Sequence, residues 1–286
     1  MRERDTPPTG LLLALAVAWL IVILKITVAL PALAGAGLLA GAAAALTVGS
    51  WLRSLRYAVS PLAGLVTGVL AGAIVLALHG TRTSNWILAG SVAAAALIGG
   101  AVVLLVPGTV AAAGVTAGLG AFVVGYALDF FLRDPLMDLF GAGRSAASGY
   151  TAGGYLAFTE ATASALIGGL MAYWSLRRRT VSRWTAYLIA GATPGILLLL
   201  AAAVTRIAGA RLLALLGSVS AADRTALSAS AESRVNYALV VLFVGAIVTL
   251  LAYGRSLPKR TDADDEPELV EEETTVPEAR PEAVEA

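Results

Sequence analysis

Residues 87–106 read ILAGSVAAAALIGGAVVLLV and residues 108–129 read GTVAAAGVTAGLGAFVVGYALD, with Pro107 between them. Neither run holds a charged side chain before Asp129. Each matches the roughly 20 apolar residues that a helix needs to cross a hydrocarbon core of about 30 Å. In that medium a backbone must satisfy its own N–H and C=O groups. Two adjoining runs of this length, turned at Pro107-Gly108, therefore predict a transmembrane helical hairpin.

The same reading extends in both directions. Further spans are predicted at about 10–30, 33–50, 59–79, 155–176, 184–205 and 235–254. Pro31 separates the first two, and Arg53 and Arg56 fill the next gap. Pro61 falls in the opening turn of the third helix, where a missing N–H is tolerated. Arg177-Arg178-Arg179 stops the sixth. The expected fold class is all-α: a polytopic transmembrane helical bundle of about eight spans over residues 1–260, followed by a disordered acidic C-terminal tail over 261–286.

Composition agrees. Of 286 residues, 58% are hydrophobic and 14% charged, where a soluble domain is nearer half apolar and a quarter charged. This excludes a water-soluble enzyme, a disordered protein and a nucleic-acid-binding domain. The net charge is only +1, but residues 261–286 hold 11 of the 19 acids and one of the 20 bases. The membrane body is basic and the tail acidic. Three prolines, no aromatic residue and high negative charge deny that tail a core. It reads as a solvated tail, or as an arm for a basic cytoplasmic partner. The bases of the body bracket apolar runs instead of forming a stripe, so no nucleic-acid partner is expected. Cysteine is absent, which removes disulfides, thiolate metal sites and thiol nucleophiles.

The first segment has features of a signal peptide: Arg2 and Arg4, an apolar stretch, then Ala32-Leu33-Ala34. Lys25 interrupts that stretch and apolar sequence continues past it, so a retained first helix is expected. With the N-terminus inside, the inner connections carry 11 Lys and Arg and the outer ones 7, although the outer ones are longer. The bias predicts a cell-membrane protein with both termini cytoplasmic. Residues 130–154 and 206–234 are then outer loops. The former reads as an amphipathic interfacial stretch followed by a flexible Gly/Ser/Ala segment. The latter reads as an interfacial helix or a continuation of the seventh span, then a capping box at Ser220-Ala-Ala-Asp223.

Glycines recur at four-residue spacing: Gly37/Gly41, Gly64/Gly68/Gly72, Gly114/Gly118 and Gly191/Gly195. Small residues let helices approach closely in lipid, so these faces predict helix–helix seams within one bundle. A homo-oligomer face or a sliding surface is the alternative use.

Ionisable groups inside spans are costly to bury and mark candidate sites. Lys25 and Glu160 are the two here, with Thr159, Thr162 and Ser164 beside the latter. Both are expected at similar depth in the outer half, where a Lys25–Glu160 ion pair would neutralise each. Lys25 could instead snorkel. Asp129, Asp134 and Asp138 are weaker candidates. A carboxylate pair four apart on a helix can hold Mg²⁺, but no asparagine or second acidic motif accompanies them and Pro135 intervenes, so no metal or cofactor is expected. His79, the only histidine, stands alone at the outer end of the third span. Pro194 in ATPG marks a place where the seventh helix could kink and free a carbonyl. No nucleophile elbow, zinc motif, Walker loop or Rossmann fingerprint occurs. The expectation is a transporter or channel for a small solute or ion with a polar site in the outer half. The alternatives are a non-enzymatic membrane scaffold and, third, an enzyme acting on a lipid-linked substrate.

Overall fold

The computed structural model describes residues 9–26, 29–52, 55–143, 145–179, 181, 183–216 and 221–256. The acidic tail lies outside them. Eight α-helices follow in chain order: α1 (Thr9–Ile26), α2 (Leu30–Trp51), α3 (Arg56–His79), α4 (Thr83–Val102, continued by a short 3₁₀ turn), α5 (Gly108–Leu139), α6 (Ala146–Arg177), α7 (Trp184–Leu216) and α8 (Ala221–Arg255). Among the described residues there is no strand. Helices α2 to α8 contain seven stretches long and apolar enough to cross a membrane; the apolar part of α1, Thr9–Ile23, is shorter. The chain forms a multi-span helical bundle.

Successive helices run in opposite directions. Thr47 near the end of α2 donates to the Thr9 carbonyl at the start of α1 (3.0 Å). Arg179, just past α6, donates to the Thr109 carbonyl at the start of α5 (3.1 Å). The bundle thus has a proximal end, with the start of α1 and the end of α8, and a distal end, with the α5–α6 turn, the end of α7 and the start of α8.

Helix α2 is the axis. It packs on α1, α3, α4, α5 and α7, and Leu38 and Leu39 are fully buried. Its sequence is small or aliphatic all round, the pattern of a helix covered on every side. The glycine seams are internal. A Cβ on Gly41 would overlap the Ala96 carbonyl, and one on Gly99 the Leu38 carbonyl, so α2 and α4 meet backbone to backbone. Gly64, Gly68 and Gly72 lie against α4 at Ala96, Ala93 and Ala89. Gly114 abuts Thr193, Gly191 abuts Gly245 and Gly195 abuts Leu242, which fixes α5 to α7 and α7 to α8. Close approach of this kind supplies the dispersion and packing that hold helices together in lipid.

Of the two long outer connections, 130–154 is largely helical where the sequence predicts a flexible segment, and 206–234 contains the expected continuation of the seventh span and a helix leading into the eighth. Helix α5 runs on through Pro135 to Leu139. It stops where Gly141 takes φ +77°, with Gly141 N–H donating to Asp138 O (3.1 Å) and Ala142 N–H to Met137 O (3.0 Å). This paired pattern is a Schellman C-cap, and glycine takes the left-handed position without a Cβ penalty. Three residues on, Ser145 caps α6 by accepting from Ser148 N–H (3.2 Å). Ser148 Oγ in turn accepts from Gly143 N–H (3.1 Å). Helix α7 likewise passes Arg206 and Arg211 to Leu216, and α8 begins at Ala221; Ser220, the expected cap, lies outside the described residues. Loss of hydrophobicity marks where a helix can leave hydrocarbon. It does not mark where the helix ends, because Ala, Arg, Leu and Met sustain a helix in water as well. Pro194 does not break α7; it is fully buried, and Gly168 of α6 leaves room beside its ring.

Candidate functional site

The distal half of α5, α6 and α8 brings Asp129, Arg133, Glu160, Ser164 and Tyr237 near one another. On α5, Arg133 Nη1 donates to Asp129 Oδ1 (2.7 Å), a pair one turn apart with both side chains about half exposed. On α6, Glu160 lies within electrostatic reach of both. Its Oε1 is buried without a hydrogen-bond partner. One turn further along α6, Ser164 Oγ hydrogen-bonds Tyr237 OH of α8 (3.1 Å). This contact exists because residue 125 is glycine: a Cβ there would stand 2.8 Å from the Tyr237 hydroxyl and 3.0 Å from Ser164 Oγ.

Thr159 and Thr162 do not serve Glu160. Each hydroxyl donates back along its own helix, to Tyr155 O (2.9 Å) and Phe158 O (2.8 Å). That is the usual way a helical threonine satisfies itself when no partner lies across the seam. Asp134 and Asp138 are exposed, and among the described residues no three His, Asp or Glu side chains converge as a metal site would need. His79 is exposed at the end of α3, with Nδ1 3.3 Å from Val75 O. Its own carbonyl and that of Gly80 accept from Asn85 Nδ2 (2.7 and 2.9 Å), which closes the α3–α4 turn. The Lys25 side chain, and with it the expected pairing to Glu160, lies outside the described residues. Helix α1 has its packing partners in α2 and, more sparingly, α5.

Beyond Tyr237 lies a cavity of about 240 Å³. It sits where α1 and α2 meet α5, α7 and α8. Trp19 and Ile23 come from α1, Pro31 and Ala32 from the start of α2, Phe122, Gly125 and Tyr126 from α5, Leu198, Ala201 and Ala202 from α7, and Arg234 and Tyr237 from α8. Trp19 meets Tyr126 edge to face at 5.5 Å and 83°, and Tyr126 stacks on Phe130. Such offset and edge contacts are favourable and hold aromatic walls in fixed orientation. Arg234 is the one charged residue in this lining. Glu160 does not line it and belongs to the seam behind Tyr237.

The sequence pattern points to Glu160 but not to Arg234, Tyr237 or the aromatic pair. A usable signal exists: Arg234 and Tyr237 stand three apart on the opening turn of an apolar run, hence on one helix face. The cavity partners of that face come from four other helices, so spacing alone does not disclose a cavity. Compared with protein-family models, with curated proteins and with solved structures, the chain gives no match.

Proposed function

We propose that this multi-span helical protein moves a small solute or ion across a cell membrane, through a polar site in the distal half of the bundle. The observation that carries this reading is the cavity between the α1–α2 pair and the α5, α7 and α8 group, with a charged side chain in its wall. Ligand sites in helical membrane proteins lie between helices, and charged groups at membrane depth mark pathways. Counted at the α-helical rise, Tyr237 lies about 27 Å from Arg255 along α8, and Glu160 about 26 Å from Arg177 along α6. With the proximal ends near one surface of a core of about 30 Å, both sit just inside the opposite surface. The Lys and Arg distribution supports a cytoplasmic proximal end and an external distal end.

The test uses the cysteine-free chain. Single cysteines at Ser148 and Ala202 are introduced in protein reconstituted in vesicles, and flux of inorganic ions and small organic acids, amines and sugars is followed. Ser148→Cys is expected to react with an impermeant maleimide from the external side only. Maleimide on Ala202→Cys is expected to block flux at least tenfold. Absence of flux for every solute class, or flux unchanged by a blocked cavity, overturns the transport reading in favour of a scaffold. Labelling of Ser148→Cys from the cytoplasmic side alone inverts the orientation.

A further inference from the structure

We infer that the distal cavity binds a small amphipathic organic anion, its oxyanion held by Arg234 and its apolar body between Trp19, Phe122 and Tyr126. The inference rests on the cavity named above as the solute site and specifies what enters it.

Arg234 lies near the start of the membrane-crossing stretch Ser228–Arg255 and is partly buried. Its guanidinium donates through Nη2 to the Ser230 hydroxyl at 3.2 Å, a neutral partner on its own helix. Among the described residues it has no carboxylate within ion-pair distance; the ion pair of the distal half is Asp129–Arg133. A guanidinium keeps its charge at any physiological pH and presents a planar fork of N–H donors, a match for a carboxylate, sulfonate or phosphate. One hydroxyl leaves most of that fork unused, and the cavity lies beside it.

The rest of the lining selects the body of the ligand. Trp19, Phe122 and Tyr126 provide flat apolar surface, and Ala121, Ala201 and Ala202 keep the space open. A volume of about 240 Å³ falls below the roughly 300–1,000 Å³ of sites that enclose drug-sized ligands. The ligand is accordingly small. The acids Asp129 and Glu160 lie within electrostatic reach of Tyr237, on its α5–α6 side. The only charged group in the lining is Arg234, so the anionic head sits there and the apolar end lies against the aromatic wall. Aromatic walls also suit cations, but no carboxylate lines the cavity, so the charge that faces a ligand is positive. At the α-helical rise, Arg234 lies about 32 Å from Arg255, at the level of the distal surface. The anionic head can therefore belong to a free solute or to a lipid headgroup from the distal leaflet.

The full chain is placed in phosphatidylcholine nanodiscs and its thermal unfolding followed with phenylacetate, phenylacetamide and phenethylammonium. A ligand of the native state raises the midpoint by mass action. Phenylacetate is expected to bind at least tenfold more tightly than the other two. Arg234→Gln is expected to remove that preference, and Arg234→Lys to keep part of it. Ala202→Phe fills the cavity while sparing Arg234, and is expected to abolish phenylacetate binding. Equal binding of acid and amide, preference for the amine, or an unchanged acid affinity in Arg234→Gln overturns the inference. If Arg234→Gln does not accumulate, the three-probe series on the native chain decides. A second disc containing phosphatidylglycerol separates the sources. Tenfold weaker phenylacetate binding there, through Arg234, identifies a headgroup; unchanged binding identifies a free solute. Binding of phenylacetate without flux of any solute leaves the anion site standing and removes the transport reading. Flux that is indifferent to Arg234→Gln does the reverse.

Discussion

The two halves of the bundle solve different problems with much the same alphabet. Helices α1 to α4 have 18, 22, 24 and 20 residues. At 1.5 Å per residue they are about 27 to 36 Å long, close to a hydrocarbon core. Helices α5 to α8 have 32, 32, 33 and 35 residues, about 48 to 53 Å. Yet all are rich in Ala, Gly, Leu and Val. The N-terminal half uses its glycines to bring backbones into contact around α2. The C-terminal half uses the same glycines proximally, then carries its longer helices on into a distal extension that holds Asp129, Arg133, Arg206 and Arg211. Bilayer thickness sets the shortest helix that can span. It places no ceiling on a sequence whose propensity for helix persists in water.

The largest effect is expected where backbone meets backbone. Gly41→Val places branched carbon against the Ala96 carbonyl, which belongs to a helix and cannot turn aside. Overpacking of a filled interior costs about 1–3 kcal/mol, and more where backbone must shift. Detergent-solubilised protein is expected to lose at least about 3 kcal/mol in unfolding free energy, or to fail to accumulate. Gly90→Ala, on the same helix as Ala96 but with nothing within 4 Å of its Cβ position, serves as the control and should cost no stability. A tolerated Gly41→Val would show that α2 and α4 are further apart than their contact requires, and the contrast between halves would lose its basis.

The opposite sign is expected in the distal extension. Gly154 on α6 has nothing within 4 Å of its Cβ position and is exposed. Glycine in a helix interior costs about 0.5–1 kcal/mol relative to alanine, because the unfolded chain has more freedom to lose. Gly154→Ala should therefore stabilise α6 by about 0.5–1 kcal/mol, read from amide exchange along residues 146–156. A loss in place of a gain would place another surface against Gly154, such as a second copy of the chain. The extension would then not be free-standing.

How far these differences can be read from sequence follows from which information is local. The turn at Pro107-Gly108 is local: proline cannot continue a ladder and fixes the entry to the next helix, and α5 begins at Gly108. The seam glycines are nearly local, since a four-residue period needs only one helix. The stop of α5 was equally available in Phe140-Gly141, but the fall in hydropathy at Asp129 drew the boundary about ten residues early. The central position of α2 is visible in hindsight in its lack of any polar or bulky face before Trp51. The cavity is different in kind. Arg234 lines it together with Trp19, Phe122 and Ala202, which three other helices contribute, and no local pattern records that convergence. Glu160 stands out in one span; what stands beside it does not.

The smallest effect is the most informative about where the bilayer ends. Asp129 and Arg133 form a pair one turn apart on α5, with the acid nearer the helix N-terminus, the better orientation against the helix dipole. If the distal extension stands in water, the pair is screened and about half exposed, and such pairs contribute about 0.3–0.5 kcal/mol. Arg133→Ala should then change stability by no more than about 0.5 kcal/mol, and the change should shrink as salt rises past a Debye length of about 8 Å. If lipid covers this level, removing Arg133 leaves Asp129 uncompensated in a poor solvent for charge. The loss should then reach about 2.5 kcal/mol or more, the scale on which a charge within a span is penalised, and Asp129→Asn in the same background should restore most of it. The length comparison predicts the small, salt-sensitive value. Residue 129 lies about 32 Å along α5 from Gly108, just beyond a core of about 30 Å. A large, salt-independent loss would set the distal surface of the membrane higher, draw Arg133 and Asp129 into the same buried site as Glu160, and turn the extension of α5 into part of the pathway.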